Sequence, residues 1–194
     1  MNFFENLTEY LLTFATEHQV AGVVGYSMGG RLALAMACQN RLQTTWFIES
    51  ASAGLTSQAE RAARKASDEL WLNRLSELPF AEFLELWYQQ SVFAELSEAL
   101  RLELLQRRST NNAAGLAKVL PGLSVANQPG FEAKLGSITS PLVYIYGKQD
   151  RKYKELMRHY HKISGRASLE ELSAGHNTHW ACPEMFAALI KKYV

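Results

Sequence analysis

The run Gly25-Tyr26-Ser27-Met28-Gly29 constrains this chain more than any other feature, because of what flanks it. A β-type run, Val20-Ala21-Gly22-Val23-Val24, leads in, and a small-residue helical run, Arg31-Leu32-Ala33-Leu34-Ala35-Met36-Ala37-Cys38, leads out. Gly-x-Ser-x-Gly in a strand–turn–helix context is the turn that lifts a serine hydroxyl off the end of a sheet. The turn is sharp, so glycines on both sides of Ser27 are expected to remove Cβ atoms that would clash. Gly30 extends the small surface and lets the helix pack close to the strand.

The rest of the chain repeats this alternation. Leu7 to His18 carries apolar residues at helical spacing and feeds the first strand. Further strand candidates are Thr44–Glu49, Leu142–Tyr146 and the less apolar Ala167–Leu172, which suits a sheet edge. Helical patterns occupy Tyr153–Ile163 and Pro183–Tyr193, with Pro183 suited to a first helical turn. Strands alternating with helices imply an α/β fold with a mostly parallel sheet covered by helices.

One interval breaks the rhythm. From Gly54 to Leu135 the chain is helical throughout, with helices expected over Ala59–Leu75, Phe80–Gln90, Ser97–Arg108 and Asn112–Leu120. The expected organisation is therefore a core of residues 1–53 and 136–194, with residues 54–135 as a helical lid. A plain helical subdomain that buries only its own core is the alternative.

With 194 residues, 47% of them hydrophobic, the chain suits one soluble core of moderate size. Twenty basic residues against nineteen acidic ones give no bulk charge for nucleic acid or a membrane surface. No apolar run spans a bilayer, and the first residues lack the pattern of a signal peptide. Cys38 and Cys182 show no metal or redox spacing, which favours reduced thiols and a cytoplasmic location.

A serine hydroxyl needs a histidine to take its proton, and the histidine needs an acid to orient it. Asp150 follows the third strand in Gly147-Lys148-Gln149-Asp150, and His176 follows the fourth in Gly175-His176. Both therefore fall at carboxyl ends of strands, on the side of Ser27, in the order Ser, Asp, His used by α/β-hydrolases. Asp150 would fix the tautomer of His176, and His176 would accept the Ser27 proton. His159 and His161 read as surface groups and His18 as a helix-end cap, while His179 is a candidate to line the pocket. No carboxylate or third histidine accompanies His176 and His179 at useful spacing, so no metal is expected. Arg31 at the start of a helix, Arg61 and Arg64 one turn apart, and Arg107-Arg108 suggest either solvated charge or a substrate with several carboxylates.

These residues resemble a known family. Gly25-Tyr26-Ser27-Met28-Gly29-Gly30-Arg31 and Ala37-Cys38-Gln39 are similar to the elbow of the 2-succinyl-6-hydroxy-2,4-cyclohexadiene-1-carboxylate synthases of menaquinone biosynthesis. So are Glu60-Arg61-Ala62-Ala63-Arg64, Trp87-Tyr88-Gln89-Gln90, Arg108-Ser109 with Asn111-Asn112, and Ala174-Gly175-His176-Asn177. The resemblance implies an α/β-hydrolase fold and a lyase that removes pyruvate from a succinyl-bearing cyclohexene dicarboxylate without a cofactor. It implies Ser27, Asp150 and His176 as the catalytic triad. Tyr26, Arg31, Arg64, Trp87 and Arg108 are implied as substrate contacts, and the Met28 backbone N–H as an oxyanion donor. The partner it implies is a small polycarboxylate.

The family pattern also includes further N-terminal strands and a His-Gly loop that supplies a second oxyanion donor, and no His-Gly pair precedes Ser27 here. The expectation is a fold lacking those strands, with Val20–Val24 as an apolar edge and impaired turnover. Two other readings use the same residues: a carboxylic-ester or thioester hydrolase, and a non-catalytic fragment that self-associates through that edge.

Overall fold

The computed structural model describes residues 2–194; Met1, the first residue of the expected core, lies outside the described residues. The chain divides into two units, one running to Gly54 and resuming at Pro129, the other Leu55–Gln128.

The first unit is built on helix α1 (Phe3–Glu17), strand β1 (Gly22–Tyr26), helix α2 (Met28–Ala37) and strand β2 (Thr45–Glu49). Helix α1 starts four residues before the apolar spacing suggests, because Asn2 and Glu5 form a reciprocal capping box with bonds of 2.9 Å. β1 lies two residues later than expected, registered by Gly22 opposite Thr45 and Tyr26 opposite Glu49.

The second unit holds helices α3 (Gln58–Glu77), α4 (Phe80–Tyr88), α5 (Glu98–Arg108) and α6 (Ala113–Val119). Ser57 and Glu60 cap α3 with a second capping box. Leu75, Phe83 and Leu84 form its core, with Trp71, Phe80, Trp87, Leu105 and Leu116 packed around them. It is narrower than the expected 54–135. Phe131 donates its N–H to the Ala53 carbonyl at 2.9 Å, and Leu135 is fully buried in the first unit.

The first unit resumes with strand β3 (Leu142–Gly147), helix α7 (Arg151–Ser164), strand β4 (Ser168–Leu172) and helices α8 (Thr178–Ala181) and α9 (Pro183–Tyr193). The four strands pair in parallel in the order β1-β2-β3-β4. β2 and β3 are buried along their whole length, as central parallel strands must be, while β4 is the more polar edge. Phe47, Val143, Ile145, Leu172, Phe186 and Leu189 form one core cluster beneath α9. Among the described residues no helix is long and apolar enough to cross a membrane.

Candidate active site

Parallel strands put all their carboxyl ends on one side, and three loops meet there. The first leaves β1 at Ser27, which has φ 48° and ψ −106°. That is the left-handed region a side chain rarely adopts, at a cost of about 1–3 kcal/mol. The Ser27 N–H donates to the Glu49 carbonyl at 2.9 Å, which holds the turn against β2. Ser27 occupies the N-cap of α2, yet its hydroxyl makes no cap bond. A Cβ on Gly25 would lie 2.6 Å from the Gly29 carbonyl oxygen, and one on Gly30 would lie 2.6 Å from the Ala51 Cβ. Both glycines are thus required by close backbone approach. Gly29 corrects the sequence expectation: among the described residues nothing lies within 4 Å of the place its Cβ would take.

The second loop leaves β3 through Gly147, which is pressed against the loop leaving β4. A Cβ there would stand 1.9 Å from the Gly175 carbonyl oxygen and 2.3 Å from that of Ala174. Lys148 and Gln149 donate their N–H groups to the carbonyls of Leu172 and Ala174 at 2.8 and 3.0 Å. This zipped pair of loops sets Asp150 against His176. Asp150 caps α7, accepting from the Tyr153 N–H at 3.1 Å through Oδ1, and starts that helix two residues before the expected Tyr153. Its Oδ2 meets His176 Nδ1 at 2.7 Å, with both side chains buried. His176 Nε2 lies 3.3 Å from Ser27 Oγ. Nδ1 carries the proton that a carboxylate accepts, so Nε2 faces the hydroxyl as the acceptor. The arrangement can draw a proton through Ser27 Oγ onto His176 and balance the resulting charge on Asp150.

Residues 4–182 match the family described as alpha/beta hydrolase fold. The chain is 38% identical over 175 residues to the 2-succinyl-6-hydroxy-2,4-cyclohexadiene-1-carboxylate synthase of Serratia proteamaculans, covering 89% of this chain and 67% of that one. It is 40% identical over 162 residues to the synthase of the same name from Escherichia fergusonii, covering 81% and 61%. The chain belongs to this synthase family of alpha/beta hydrolase enzymes. It spans about two thirds of the length of these relatives, down to 61% for the shorter match. Among solved structures, MenH from S. aureus superposes with a TM-score of 0.90 at 22% identity, over 98% of this chain and 74% of that one. An enol-lactonase from Burkholderia xenovorans superposes at 0.72 with 16% identity, over 98% of this chain and 72% of that one, a likeness of fold.

Against the synthase pattern, the remaining expected residues divide by unit. In the first unit, the Tyr26 hydroxyl donates to Asn177 Oδ1, and its ring lies 5.2 Å from that of His176 and 4.7 Å from that of His179. Arg31 is buried at 8% exposure, which removes the surface-charge reading for it. Met28 is the first residue of α2, where helix N–H groups lack intrahelical acceptors. In the second unit, exposed Arg64 pairs with Asp68 at 2.7 Å, and Arg108 is exposed in the last turn of α5. Trp87 packs at 5.0 Å against Trp71 and at 5.9 Å against Phe83.

Three expectations are corrected. Arg61 donates to the carbonyls of Leu55, Ala126 and Gln128 at 2.8 to 3.0 Å, so it ties the two ends of the helical unit together. His161 is half-buried and not a surface group, while His159 is exposed and pairs with Glu132. A carboxylate does accompany His179: Glu49, fully buried at the end of β2, accepts from His179 Nδ1 at 2.8 Å. Its only sequence signal was a carboxylate closing an otherwise apolar strand. Among the described residues no three His, Cys, Asp or Glu groups gather as a metal site.

Proposed function

We propose that this chain eliminates pyruvate from a succinyl-bearing cyclohexene dicarboxylate in menaquinone biosynthesis. The observation that carries the reading is the hydrogen-bonded line Ser27–His176–Asp150 in a chain 38% identical to a synthase of that name. His176 takes up, through Ser27 Oγ, the proton lost from a ring carbon, and Asp150 stabilises the imidazolium. The electron pair released moves through the ring and breaks the bond to the departing enol oxygen, and the enolate that leaves becomes pyruvate when its terminal carbon takes up a proton, balancing the one gained by His176. The positive end of α2, beginning with the Met28 N–H, faces charge that develops at the elbow. Arg31, Arg64 and Arg108 are assigned to the carboxylates, with Tyr26 and Trp87 as further contacts.

The test is pyruvate release from the cyclohexene substrate by the purified chain, read by coupling to a lactate dehydrogenase. Turnover that disappears in Ser27→Ala supports the reading. Turnover unchanged in Ser27→Ala overturns it. The positive φ of Ser27 favours one second reading, an ester or thioester hydrolase in which Ser27 attacks the acyl carbon. Acid release from simple esters, with none of the pyruvate, would select it.

A further inference from the structure

We propose that Glu49 is a positioning residue for the Ser27–His176 pair, acting through the turn that follows His176. The inference rests on the catalytic reading of Ser27 and His176 given above. Glu49 ends β2, and its side chain is completely buried. A carboxylate in that position is costly unless it is fully hydrogen-bonded. Its four donors all come from one turn. Oε1 accepts from Thr178 N at 2.6 Å, Thr178 Oγ1 at 2.7 Å and His179 N at 3.1 Å, and Oε2 faces His179 Nδ1 at 2.8 Å. The Glu49 carbonyl accepts the Ser27 N–H at 2.9 Å. One residue therefore grips the backbone of the serine turn with its main chain and the residues just beyond His176 with its side chain.

The turn needs such an anchor. α8 has four residues, too few to hold a helix without outside contacts. Thr178 is completely buried, and every donor it and His179 present to Glu49 would be stranded if the turn withdrew. The consequence is read at the weakest link of the line, the 3.3 Å between His176 Nε2 and Ser27 Oγ. A displacement of a few tenths of an ångström takes that pair beyond hydrogen-bonding range. Misplacement on the scale of 1 Å costs on the order of a hundredfold in rate.

The test uses an alkyl fluorophosphonate, which reports on the serine without needing the substrate. Ser27 Oγ attacks phosphorus, fluoride leaves, and the hydroxyl proton passes to His176. Labelling rates are measured by intact mass, well below the melting temperature, on the full chain and on Glu49→Ala, Glu49→Gln, Thr178→Val and Ser27→Ala. Glu49→Ala should slow labelling tenfold or more. Glu49→Gln should keep at least a third of the rate, because its amide oxygen still accepts from Thr178. Thr178→Val, which loses one of the four donors, should slow labelling three- to tenfold. A folded Glu49→Ala labelled within twofold of the unaltered chain, even with a lowered melting temperature, leaves Glu49 a purely structural role and overturns the proposal. If Glu49→Ala does not fold, Thr178→Val within twofold overturns it equally. Equal losses in Glu49→Ala and Glu49→Gln would mean that charge acts rather than anchoring, and would also overturn it. Absence of Ser27-dependent labelling in the unaltered chain defeats the catalytic reading and this inference with it.

Discussion

Replacing Gly147 with alanine would place a methyl carbon 1.9 Å from the Gly175 carbonyl oxygen and 2.3 Å from that of Ala174. Both obstacles are backbone, so no side chain can swing aside. To reach even a 3.0 Å contact, the loop after β3 and the loop after β4 must part by about 1.1 Å. The Asp150–His176 bond, now 2.7 Å, would then stand near 3.8 Å, outside hydrogen-bonding range. The contacts of Lys148 with Leu172 and of Gln149 with Ala174 lie in the same seam and would weaken with it. A hydrogen bond to a charged group contributes about 1.5–3 kcal/mol and each backbone bond about 1 kcal/mol, so the loss comes to roughly 3–5 kcal/mol. For a chain of this size that corresponds to a fall of roughly 6–20 °C in melting temperature. On the proposed lyase reading Asp150 orients His176 for catalysis, and losing such an acid costs up to about 10⁴ in turnover, so pyruvate release should drop by about 10²–10⁴.

Thermal melting and coupled pyruvate release on Gly147→Ala check both figures. Asp150→Asn serves as the companion, since it removes the carboxylate without prising the loops apart. It should match the activity loss while losing less stability. If Gly147→Ala melts within 2 °C of the unaltered chain and turns over within about threefold of it, the close packing of these two loops does not set the geometry of the acid and the histidine.

Other outcomes follow from single residues. Gly29→Ala should fold normally and gain up to about 0.5–1 kcal/mol by urea unfolding, because nothing occupies the space and alanine favours the helix. Gly25→Ala, which meets backbone at 2.6 Å, should lose about 1–3 kcal/mol in the same assay. Arg61→Lys keeps the charge but cannot reach three carbonyls at once, so hydrogen exchange in residues 55–128 should quicken by an amount equivalent to roughly 2–4 kcal/mol. Burial pushes the Cys38 thiol from 9.0 up to about 12, and iodoacetamide at pH 9 should alkylate it about five-hundredfold more slowly than a free cysteine, in proportion to its thiolate fraction. The folded chain holds the Cys38 proton more tightly than the unfolded one, so this contribution is complete below pH 9 and fades between pH 9 and about 12. Burial raises Tyr144 and Tyr160 as well, and the urea midpoint should fall with rising pH across that alkaline range.

What the sequence made legible was what short-range rules encode. The strand, turn and helix around Ser27 follow from periodicity and glycine placement, and the order Ser27, Asp150, His176 follows from loops at strand ends. Capping chemistry is equally local but lies outside apolar periodicity, so the Asn2–Glu5 and Ser57–Glu60 boxes start α1 and α3 earlier than that periodicity suggests. Glu49 and His179 lie 130 residues apart in sequence, and only the parallel pairing of β2, β3 and β4 brings them together. No local pattern could have matched that carboxylate to its four donors.

Arg61 and Arg64 show the same limit within one helix. They are one turn apart, identical in type, and equally suited by sequence to an anion. Arg64 pairs with Asp68, an i,i+4 contact that a sequence can display, and exposed pairs of this kind are worth only about 0.3–0.5 kcal/mol. Arg61 meets three backbone carbonyls, two of them supplied by the segment where the helical unit ends, more than sixty residues on. Backbone carbonyls carry no signature of residue type, so sequence cannot mark them as partners, yet they claim the guanidinium as completely as a substrate would. An arginine that helix spacing turns toward a returning chain segment is therefore as ready to fasten the fold as to bind a ligand. Only those whose forks the backbone leaves unclaimed remain candidates for carboxylate binding. By that criterion Arg64 stays among the proposed substrate contacts and Arg61 leaves the set of arginines open to an anion, and on the proposed reading Arg64→Ala should lower kcat/KM for the cyclohexene substrate by roughly tenfold or more. An unchanged kcat/KM would return Arg64 to the role of its helical ion pair.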